Sequence, residues 1–235
     1  MFDFSGQRIL VIGGSSGIGF STAQLATKLG GKVTIASRQA AKVQQAAKNL
    51  HVEGRPLDLT DQNGVDAFFA GESIWDHIIV TGSDVKMAAV KKLAMDDALA
   101  AMDSKFWGFY RVARAAKIRP GGSLGVVAGF LATRPAEGRA LMGAINGALE
   151  SLVQGLALEL KPVRVNVVSP AVVNTEMWHG MGTEARQAMM ATMAGKYPAG
   201  VIGQPEDIAR LLLLLAGTPY ATGTVVTMDG GASIA

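Results

Sequence analysis

The stretch RILVIGGSSGIGFSTAQLATKLG, residues 8–30, decides the fold. An apolar run typical of a buried strand leads into a glycine-rich turn and then into a segment with helical periodicity. Gly13 permits a tight turn, Gly17 lets the backbone approach a pyrophosphate, and Gly19 follows at the mouth of the helix. The helix N-terminus adds free N–H groups and a dipole that favours an anion. The stretch therefore predicts a dinucleotide site, although a plain strand-to-helix turn would show the same glycines.

Strand and helix patterns alternate along the whole chain. Short β-branched runs, apolar nearly throughout, are typical of parallel strands covered on both faces. Their alternation with helical segments predicts βαβ units and a parallel, doubly wound sheet in one domain, residues 1–235. The predicted strands are 8–14, 32–38, 77–82, 123–129, 163–170 and 224–231, and the predicted helices are 17–30, 39–49, 61–71, 93–118, 140–160 and 205–216.

Composition excludes several classes of protein. Hydrophobic residues make up 49% of the 235 residues and charged ones 17%, which excludes a disordered chain. The net charge of +3 at pH 7 does not favour a nucleic-acid partner. The chain has no cysteine, and its three histidines, His51, His77 and His179, lack ligand spacing, so no metal site is expected. Without a signal-peptide pattern, and with a leucine run near Leu213 too short to span a bilayer, we expect a cytoplasmic protein with no membrane partner.

The end of the second predicted strand indicates which dinucleotide binds. NAD-dependent enzymes usually place a carboxylate there to hold the ribose 2′-OH, whereas NADP-dependent enzymes need a cation for the 2′-phosphate. This strand ends with Ser37 and Arg38 and has no carboxylate. Arg38 is expected to bind the phosphate with help from the Ser37 hydroxyl, which favours NADP(H) over NAD(H). The alternative is a solvated arginine at the start of the next helix.

Further motifs resemble the short-chain dehydrogenase/reductase family over the whole chain. GGSSGIG (13–19) is similar to the family's cofactor turn, although Ile12 stands where the family commonly has Thr. SPAVVNTEM (169–177) resembles the stretch that flanks the nicotinamide, with Ala171 in place of a Gly and Thr175 retained as a carboxamide partner. The other matching segments are PLDLTD (56–61), GQPEDIARLLLLLAG (203–217) and GTVVTMDGG (223–231).

This resemblance implies a single-domain Rossmann-type sheet flanked by helices on both faces, a nicotinamide cofactor, and homodimers or homotetramers. It implies an adenine contact for Asp58. IIVTGS (78–83) stands where the family usually shows Asn-Asn-Ala-Gly, and its last three residues are expected to line the cofactor. The predicted cofactor-binding residues are Gly13, Ser15, Ser16, Gly17, Ile18, Gly19, Ser37, Arg38, Asp58, Leu59, Thr81, Gly82, Ser83, Asn146, Pro170 and Thr175.

The catalytic tetrad of the family, Asn-Ser-Tyr-Lys, has no match in this alignment. In the family a Tyr protonates the carbonyl, a Lys four residues later supports that Tyr, and a Ser polarises the carbonyl. Alignment on GALESL (147–152) puts Met142 at the Tyr position and Asn146 at the Lys position. It also puts Gly129 at the Ser position and Lys105 at the Asn position. The resemblance therefore implies an atypical active site.

A local shift of the alignment does not restore the relay, because no Tyr lies between Tyr110 and Tyr197. Asn146 is then open to two interpretations. Its amide is able to hydrogen-bond a ribose hydroxyl where the family has a cation. Alternatively, the helix 140–160, rich in Gly and Ala, packs mainly against another subunit.

Other residues are candidates to replace the missing acid. Lys105 would place a positive charge near a developing oxyanion, or it points to solvent or pairs with a carboxylate. His179 suits acid–base work near neutral pH, but a lone histidine in the segment 175–200, a substrate lid by resemblance, is usually incidental. Arg134 lies at the pocket mouth or on the surface. The predicted substrate-pocket residues are Arg139, Met142, Trp178 and His179.

Two functions remain open at this stage. The first is a weak or narrow NADPH-dependent reductase of electrophilic carbonyls or quinones. Loss of a general acid costs roughly 10²–10⁴ in rate, and an activated carbonyl or quinone gives a delocalised anion that needs no concerted protonation. The second is a catalytically inactive NADP(H)-binding sensor or scaffold. Small apolar surfaces on 93–118 and 140–160 predict a homo-oligomer in either case.

Overall fold

The computed structural model describes residues 3–71, 74–82 and 85–235 and shows one seven-stranded sheet. All strands are parallel, in the order β3-β2-β1-β4-β5-β6-β7, so the order reverses between β1 and β4. A ligand crevice forms at such a switch point, outside the carboxyl ends of the strands. The strands are β1 Arg8–Ile12, β2 Lys32–Ser37, β3 Glu53–Pro56, β4 Trp75–Val80, β5 Ile118–Val127, β6 Arg164–Pro170 and β7 Thr224–Met228.

Helices cover both faces of the sheet, as expected for a doubly wound fold. A π-helical turn, Asp103–Trp107, joins α4 to α5, and 3₁₀ turns lie at Phe130–Ala132 and Glu176–Met181. The α-helices of the described residues are α1 Gly17–Lys28, α2 Ala40–Leu50, α3 Gln62–Ala70, α4 Met95–Met102, α5 Gly108–Ala115, α6 Ala140–Glu159, α7 Thr183–Lys196 and α8 Pro205–Gly217.

Two hydrophobic cores lie on opposite faces of the sheet. Alternate strand residues point to opposite faces, so that Leu10 packs in one core and Val11 in the other. The first core is completed by α3, α5 and α6, through residues such as Phe109 and Leu149. The second is completed by α1, α2 and α8, through residues such as Ile208. The carboxyl ends of the strands are therefore held between two packed helical layers.

Two buried polar side chains fasten the sheet. His77 on β4 bonds through Nδ1 to Ser123 Oγ at 2.8 Å and through Nε2 to Gln7 Oε1 at 2.7 Å. Arg164 at the start of β6 donates to the carbonyls of Leu215, Ala216, Thr218 and Ala221, which close α8 and the turn after it. Burial lowers the pKa of both groups, that of His77 to about 4.

The fold agrees with the predicted doubly wound sheet, and the differences are local. The strand β3 was not predicted, because EGRP at the sheet edge carries no apolar run. The single predicted helix 93–118 is wrong as one element: a π-helical turn interrupts it, and β5 already begins at Ile118. The helix α7 inside the predicted lid was also missed, since none of its residues is buried and its apolar pattern is weak.

One helix of the described residues, α6, is long and apolar enough to cross a membrane by length and composition, with a mean hydropathy of 1.2. Ile145, Leu149 and Val153 on this helix are fully buried in the first core. The helix therefore packs on the sheet as a core element.

Candidate functional site

A cleft of about 610 Å³ lies at the carboxyl ends of the strands, at the β1/β4 switch point. Its wall is formed by the β1–α1 turn, the ends of β2, β3 and β4, and the start of the 3₁₀ turn after β6. The lining residues are Ile12, Gly13, Ser15, Ser16, Gly17, Ile18, Gly19, Ser37, Arg38, Gln39, Lys42, Leu57, Asp58, Leu59, Thr60, Thr81, Gly82, Val85, Ser104, Thr175, Glu176 and Met177.

The glycine turn is built for close approach of a ligand to the backbone. Gly13 has φ +88°, and a Cβ there would lie 2.3 Å from the backbone nitrogen of Gly82. Gly17 has φ +51° and is the first residue of α1. Ser16 occupies the N-cap position, but its side chain makes no capping hydrogen bond. The first-turn N–H groups of α1 have no partner within the helix, and such a helix start at a cleft is suited to bind an anion.

One end of the cleft carries positive charge and an unsatisfied hydroxyl. Ser37 Oγ is buried and has no hydrogen-bond partner. Arg38 and Lys42 line the same end, and no carboxylate lies between β2 and α2. Since a buried hydroxyl without a partner costs free energy, a ligand atom that bonded to Ser37 Oγ would remove that cost. Lys42 was not among the predicted residues, although its place four residues after Arg38, in the first turn of α2, was a usable signal.

The next part of the cleft is a turn held rigid by its own side chains. The carboxylate of Asp58 accepts from the backbone N–H of Thr60 at 2.9 Å and from its hydroxyl at 2.8 Å. Arg111 donates to the Leu59 carbonyl at 3.0 Å and to Asp103 Oδ1 at 2.7 Å. The turn therefore presents the Asp58 carboxylate and apolar residues as a fixed wall, which suits a flat heteroaromatic ring.

The far end of the cleft lies between the β4 end and the 3₁₀ turn. Thr81 and Gly82 line it from one side and Thr175 from the other. Pro170 and Asn146 do not line the cleft, and Ser83 lies outside the described residues. The remaining predicted cofactor residues all border it. The lining residues that were not predicted are Ile12, Gln39, Lys42, Leu57, Thr60, Val85, Ser104, Glu176 and Met177.

Behind this end, the structure brings together all four residues that the alignment placed at tetrad positions. Lys105 Nζ donates to Asn146 Oδ1 at 2.7 Å and to the Ala128 carbonyl at 3.0 Å. The Met142 sulfur lies 3.7 Å from the same nitrogen. A Cβ on Gly129 would lie 2.8 Å from Asn146 Nδ2.

The ammonium of Lys105 is held in an uncharged environment. The groups that contact Nζ from the end of β5 and from α6 are Ala128, Met142 and Asn146. Burial lowers the pKa of Lys105 to about 8. Of the two sequence interpretations of this lysine, the structure contradicts the solvent-facing one: Lys105 makes no salt bridge within the described residues and points inward.

The predicted substrate-pocket residues do not meet in one cavity of the described structure. His179 lines a separate recess of about 290 Å³ together with Gly17, Glu176 and Arg186. Trp178 donates from Nε1 to the Val173 carbonyl at 2.9 Å. The other two predicted pocket residues lie elsewhere, since Met142 contacts Lys105 and Arg139 precedes α6. Arg134, which was expected at the pocket mouth or on the surface, donates to the carbonyl oxygen of Ala235.

No group of three or more His, Asp or Glu side chains able to hold a metal ion exists in ranges 3–71, 74–82 and 85–235. The cleft offers a glycine turn, cations and hydroxyl groups, which are groups able to bind a dinucleotide.

Comparison with known proteins decides the family. A family model described as enoyl-(acyl carrier protein) reductase matches residues 12–233. The short-chain dehydrogenase/reductase ATR9 of Stachybotrys chlorohalonatus is 32% identical over 97% of this chain and 97% of its own length. This chain belongs to the short-chain dehydrogenase/reductase family. As a short-chain-type oxidoreductase, it shares the fold of solved members of that family.

Solved structures similar to this short-chain dehydrogenase/reductase point the same way. A small-chain dehydrogenase solved in complex with NADPH is 33% identical, with a TM-score of 0.85 over 97% of this chain and 99% of that one. The MalC reductase/Diels-Alderase of Malbranchea aurantiaca is 27% identical, with a TM-score of 0.92 over 99% and 98% of the two chains.

Proposed function

We propose that this chain is an NADPH-dependent reductase that transfers hydride to activated carbonyls or quinones without a Tyr–Lys relay. The observation that carries the cofactor preference is the buried, unpartnered Ser37 hydroxyl beside Arg38 and Lys42. A hydroxyl and two cations suit a dianionic 2′-phosphate better than the neutral ribose 2′-OH of NAD(H). The 33% identical dehydrogenase solved with NADPH supports the same preference.

The lining of the described cleft offers candidate partners for each part of the cofactor. The β1–α1 turn would hold the pyrophosphate, the Asp58–Thr60 turn the adenine, and Thr175 the nicotinamide carboxamide. When bound, the reduced nicotinamide supplies the hydride, and the protein supplies orientation and electrostatics.

The residues behind the far end of the cleft support the proposed substrate class. Gly129 has no side chain, and the Met142 thioether carries no proton to donate. A simple ketone would lack the usual general acid, a loss of roughly 10²–10⁴ in rate. A vicinal diketone or quinone forms a delocalised anion, so its reduction depends less on that acid.

The test is consumption of NADPH and NADH with an ortho-quinone, a vicinal diketone and a simple ketone, each at matched concentrations. The proposal expects turnover of the first two with NADPH, slower turnover with NADH, and almost no reduction of the simple ketone. The same assay with Lys42→Ala tests the cofactor preference, and that variant should lose turnover with NADPH. Lys48→Ala is its control, because both lysines lie on α2 and only Lys42 lines the cleft. Equal rates for the ketone and the quinone would contradict the substrate assignment.

A second function, an NADP(H)-binding sensor or scaffold without turnover, is favoured by one observation. Asn146 is 2% exposed, and neither it nor Lys105 lines the cleft, whereas the cofactor residues do. NADPH binding without consumption of any of the three substrates would favour this function.

We also propose that the chain forms a homodimer or homotetramer. The segment from α4 to α5 exposes Leu99 and Trp107, and α6 exposes Leu158, which is 75% accessible. Apolar surface of this kind on neighbouring helices suits a subunit interface. Light scattering of the purified protein tests the assembly, and a monomer at micromolar concentration would contradict it.

A further inference from the structure

The three hydrogens of the Lys105 ammonium are unequally used. Two of them meet oxygen acceptors, Asn146 Oδ1 at 2.7 Å and the Ala128 carbonyl at 3.0 Å. The third faces the Met142 sulfur at 3.7 Å, which is a weak acceptor on a flexible side chain. This third N–H is therefore the one that a stronger acceptor would take if Met142 moved aside.

The Asn146 amide is turned by the same contact. Because Oδ1 accepts from Lys105, Nδ2 points away from the lysine and toward Gly129. Nδ2 makes no hydrogen bond within residues 3–71, 74–82 and 85–235. A Cβ at position 129 would lie only 2.8 Å from this nitrogen, so glycine leaves the space that the amide occupies.

We infer that Lys105 Nζ–H and Asn146 Nδ2–H form a two-donor oxyanion site, which binds the substrate oxygen and in which Lys105 donates the proton. The proton transfer to the substrate rests on the proposed reductase function, whereas the binding of an oxyanion does not. The amide donor takes the place that a side-chain hydroxyl at position 129 would fill. The Lys105 ammonium supplies a positive charge beside the substrate oxygen, which the uncharged Met142 side chain cannot supply.

The proton transfer balances with the hydride that the reduced nicotinamide supplies. The carbonyl carbon gains the hydride, the π pair moves to oxygen, and the oxygen takes a proton from Nζ. Lys105 is then neutral and regains a proton from water. The pKa of Lys105, lowered to about 8 by burial, keeps the ammonium charged at neutral pH and makes it a better acid than a solvated lysine.

The first test uses no cofactor and reads the binding of an oxyanion. We would titrate the protein with para-nitrophenol below the pKa of the free phenol and follow phenolate absorbance. The wild-type chain should bind the phenolate and promote its ionisation. Lys105→Met and Asn146→Ala should each weaken phenolate binding about tenfold or more, whereas Lys28→Met, an exposed lysine at the end of α1, should not.

Gly129→Ala keeps both donors in the sequence and displaces only the amide. Its methyl group meets the free end of the Asn146 side chain, which is able to shift, so the fold should survive. Weakened phenolate binding in this variant, with circular dichroism and NADPH affinity unchanged, would support a positioned donor. Phenolate binding that is absent from the wild-type chain, or unchanged in all three variants, would overturn the inference.

The second test separates this inference from the reductase function. In vicinal-diketone reduction, Lys105→Arg should recover part of the rate lost in Lys105→Met, because arginine keeps the positive charge. The recovery should be incomplete, because arginine is a poorer acid than lysine. The wild-type rate should fall above about pH 8, and the rate of Lys105→Met should not. Phenolate binding that depends on Lys105 but without NADPH turnover would support the oxyanion site and contradict the reductase. Turnover that is unchanged in Lys105→Met would overturn the oxyanion site and leave the reductase standing.

Discussion

Lys105 Nζ and Asn146 Oδ1 lie 2.7 Å apart, although the two residues are 41 positions apart in the chain. The resemblance to the family predicts Lys105 at its asparagine position and Asn146 at its lysine position. The structure shows that the two side chains are in direct contact. This contact brings the π-helical turn after α4 to the middle of α6, next to the end of β5.

The buried lysine predicts an unusual dependence of stability on pH. Its folded-state pKa of about 8 lies below the ordinary value of 10.5, so between these values the unfolded chain holds more protons. The contribution of Lys105 to the free energy of unfolding therefore rises as pH rises from about 8 to about 10. Urea unfolding of the wild type and Lys105→Met across this range should show their difference change by about 2 kcal/mol. A constant difference would show that the ammonium is not buried.

The phosphate end of the cleft predicts a selective loss of NADPH affinity. Arg38→Ala and Lys42→Ala should each weaken NADPH binding about tenfold to a hundredfold and leave NADH binding nearly unchanged, because only NADPH carries the 2′-phosphate. Ser37→Ala should lose less, since it removes one neutral hydrogen-bond donor. Titration by cofactor fluorescence checks all three, with Lys48→Ala as the control. A parallel loss of NADH affinity would assign these side chains to the fold instead.

His77 predicts sensitivity to acid. Its folded-state pKa of about 4 lies below the ordinary 6.5, mainly because the ring is buried, so the unfolded chain binds the proton first. Stability from this group is complete above about pH 6.5 and is lost as pH falls toward 4, by about 3 kcal/mol. His77→Gln should flatten that part of the stability curve. Unfolding curves at several pH values check this. An equal loss of stability in the wild type and in His77→Gln would show that His77 is not the cause of the acid sensitivity.

Arg164 predicts a large cost of substitution at a position far from the cleft. Its guanidinium is buried and satisfies carbonyls at the end of α8, so Arg164→Met would leave these acceptors without donors. We expect a loss of about 3 kcal/mol in the free energy of unfolding. Arg210→Met, on the exposed side of α8, should cost less than about 0.5 kcal/mol. Thermal and urea unfolding of the two variants measure these losses. Equal losses of stability in Arg164→Met and Arg210→Met would contradict the structural role of Arg164.

Much of the fold was predictable because its signals are local. Strands such as Lys32–Ser37 are apolar runs between turn signals, and the glycine turn before α1 has a fixed spacing. Edge strand β3 and the exposed helix α7 were not predictable, since neither carries a strong apolar period. The break between α4 and α5 has the same origin, because a π-helical turn keeps the helical pattern running.

The candidate site also has a part that was predictable from local sequence and a part that was not. Ser37 and Arg38 were predictable as cleft residues because they lie at the carboxyl end of a predicted strand, and Asp58 because its segment resembles a family motif. The contact between Lys105 and Asn146 was not, since it joins two helical segments that only the packing of α6 on the sheet brings together. The space left by Gly129 belongs to the same category, because its meaning depends on a side chain 17 positions away.

The most direct measurement of the central claim uses NADPH carrying deuterium at both C4 positions of the nicotinamide, with a vicinal diketone as substrate. Mass spectrometry of the product reads hydride transfer without relying on the slow background oxidation of the cofactor. The proposed reductase predicts one deuterium on the carbinol carbon, with far less product from NADH or from Arg38→Ala. A protein that binds NADPH yet yields no deuterated product would contradict the claim and favour a sensor or scaffold.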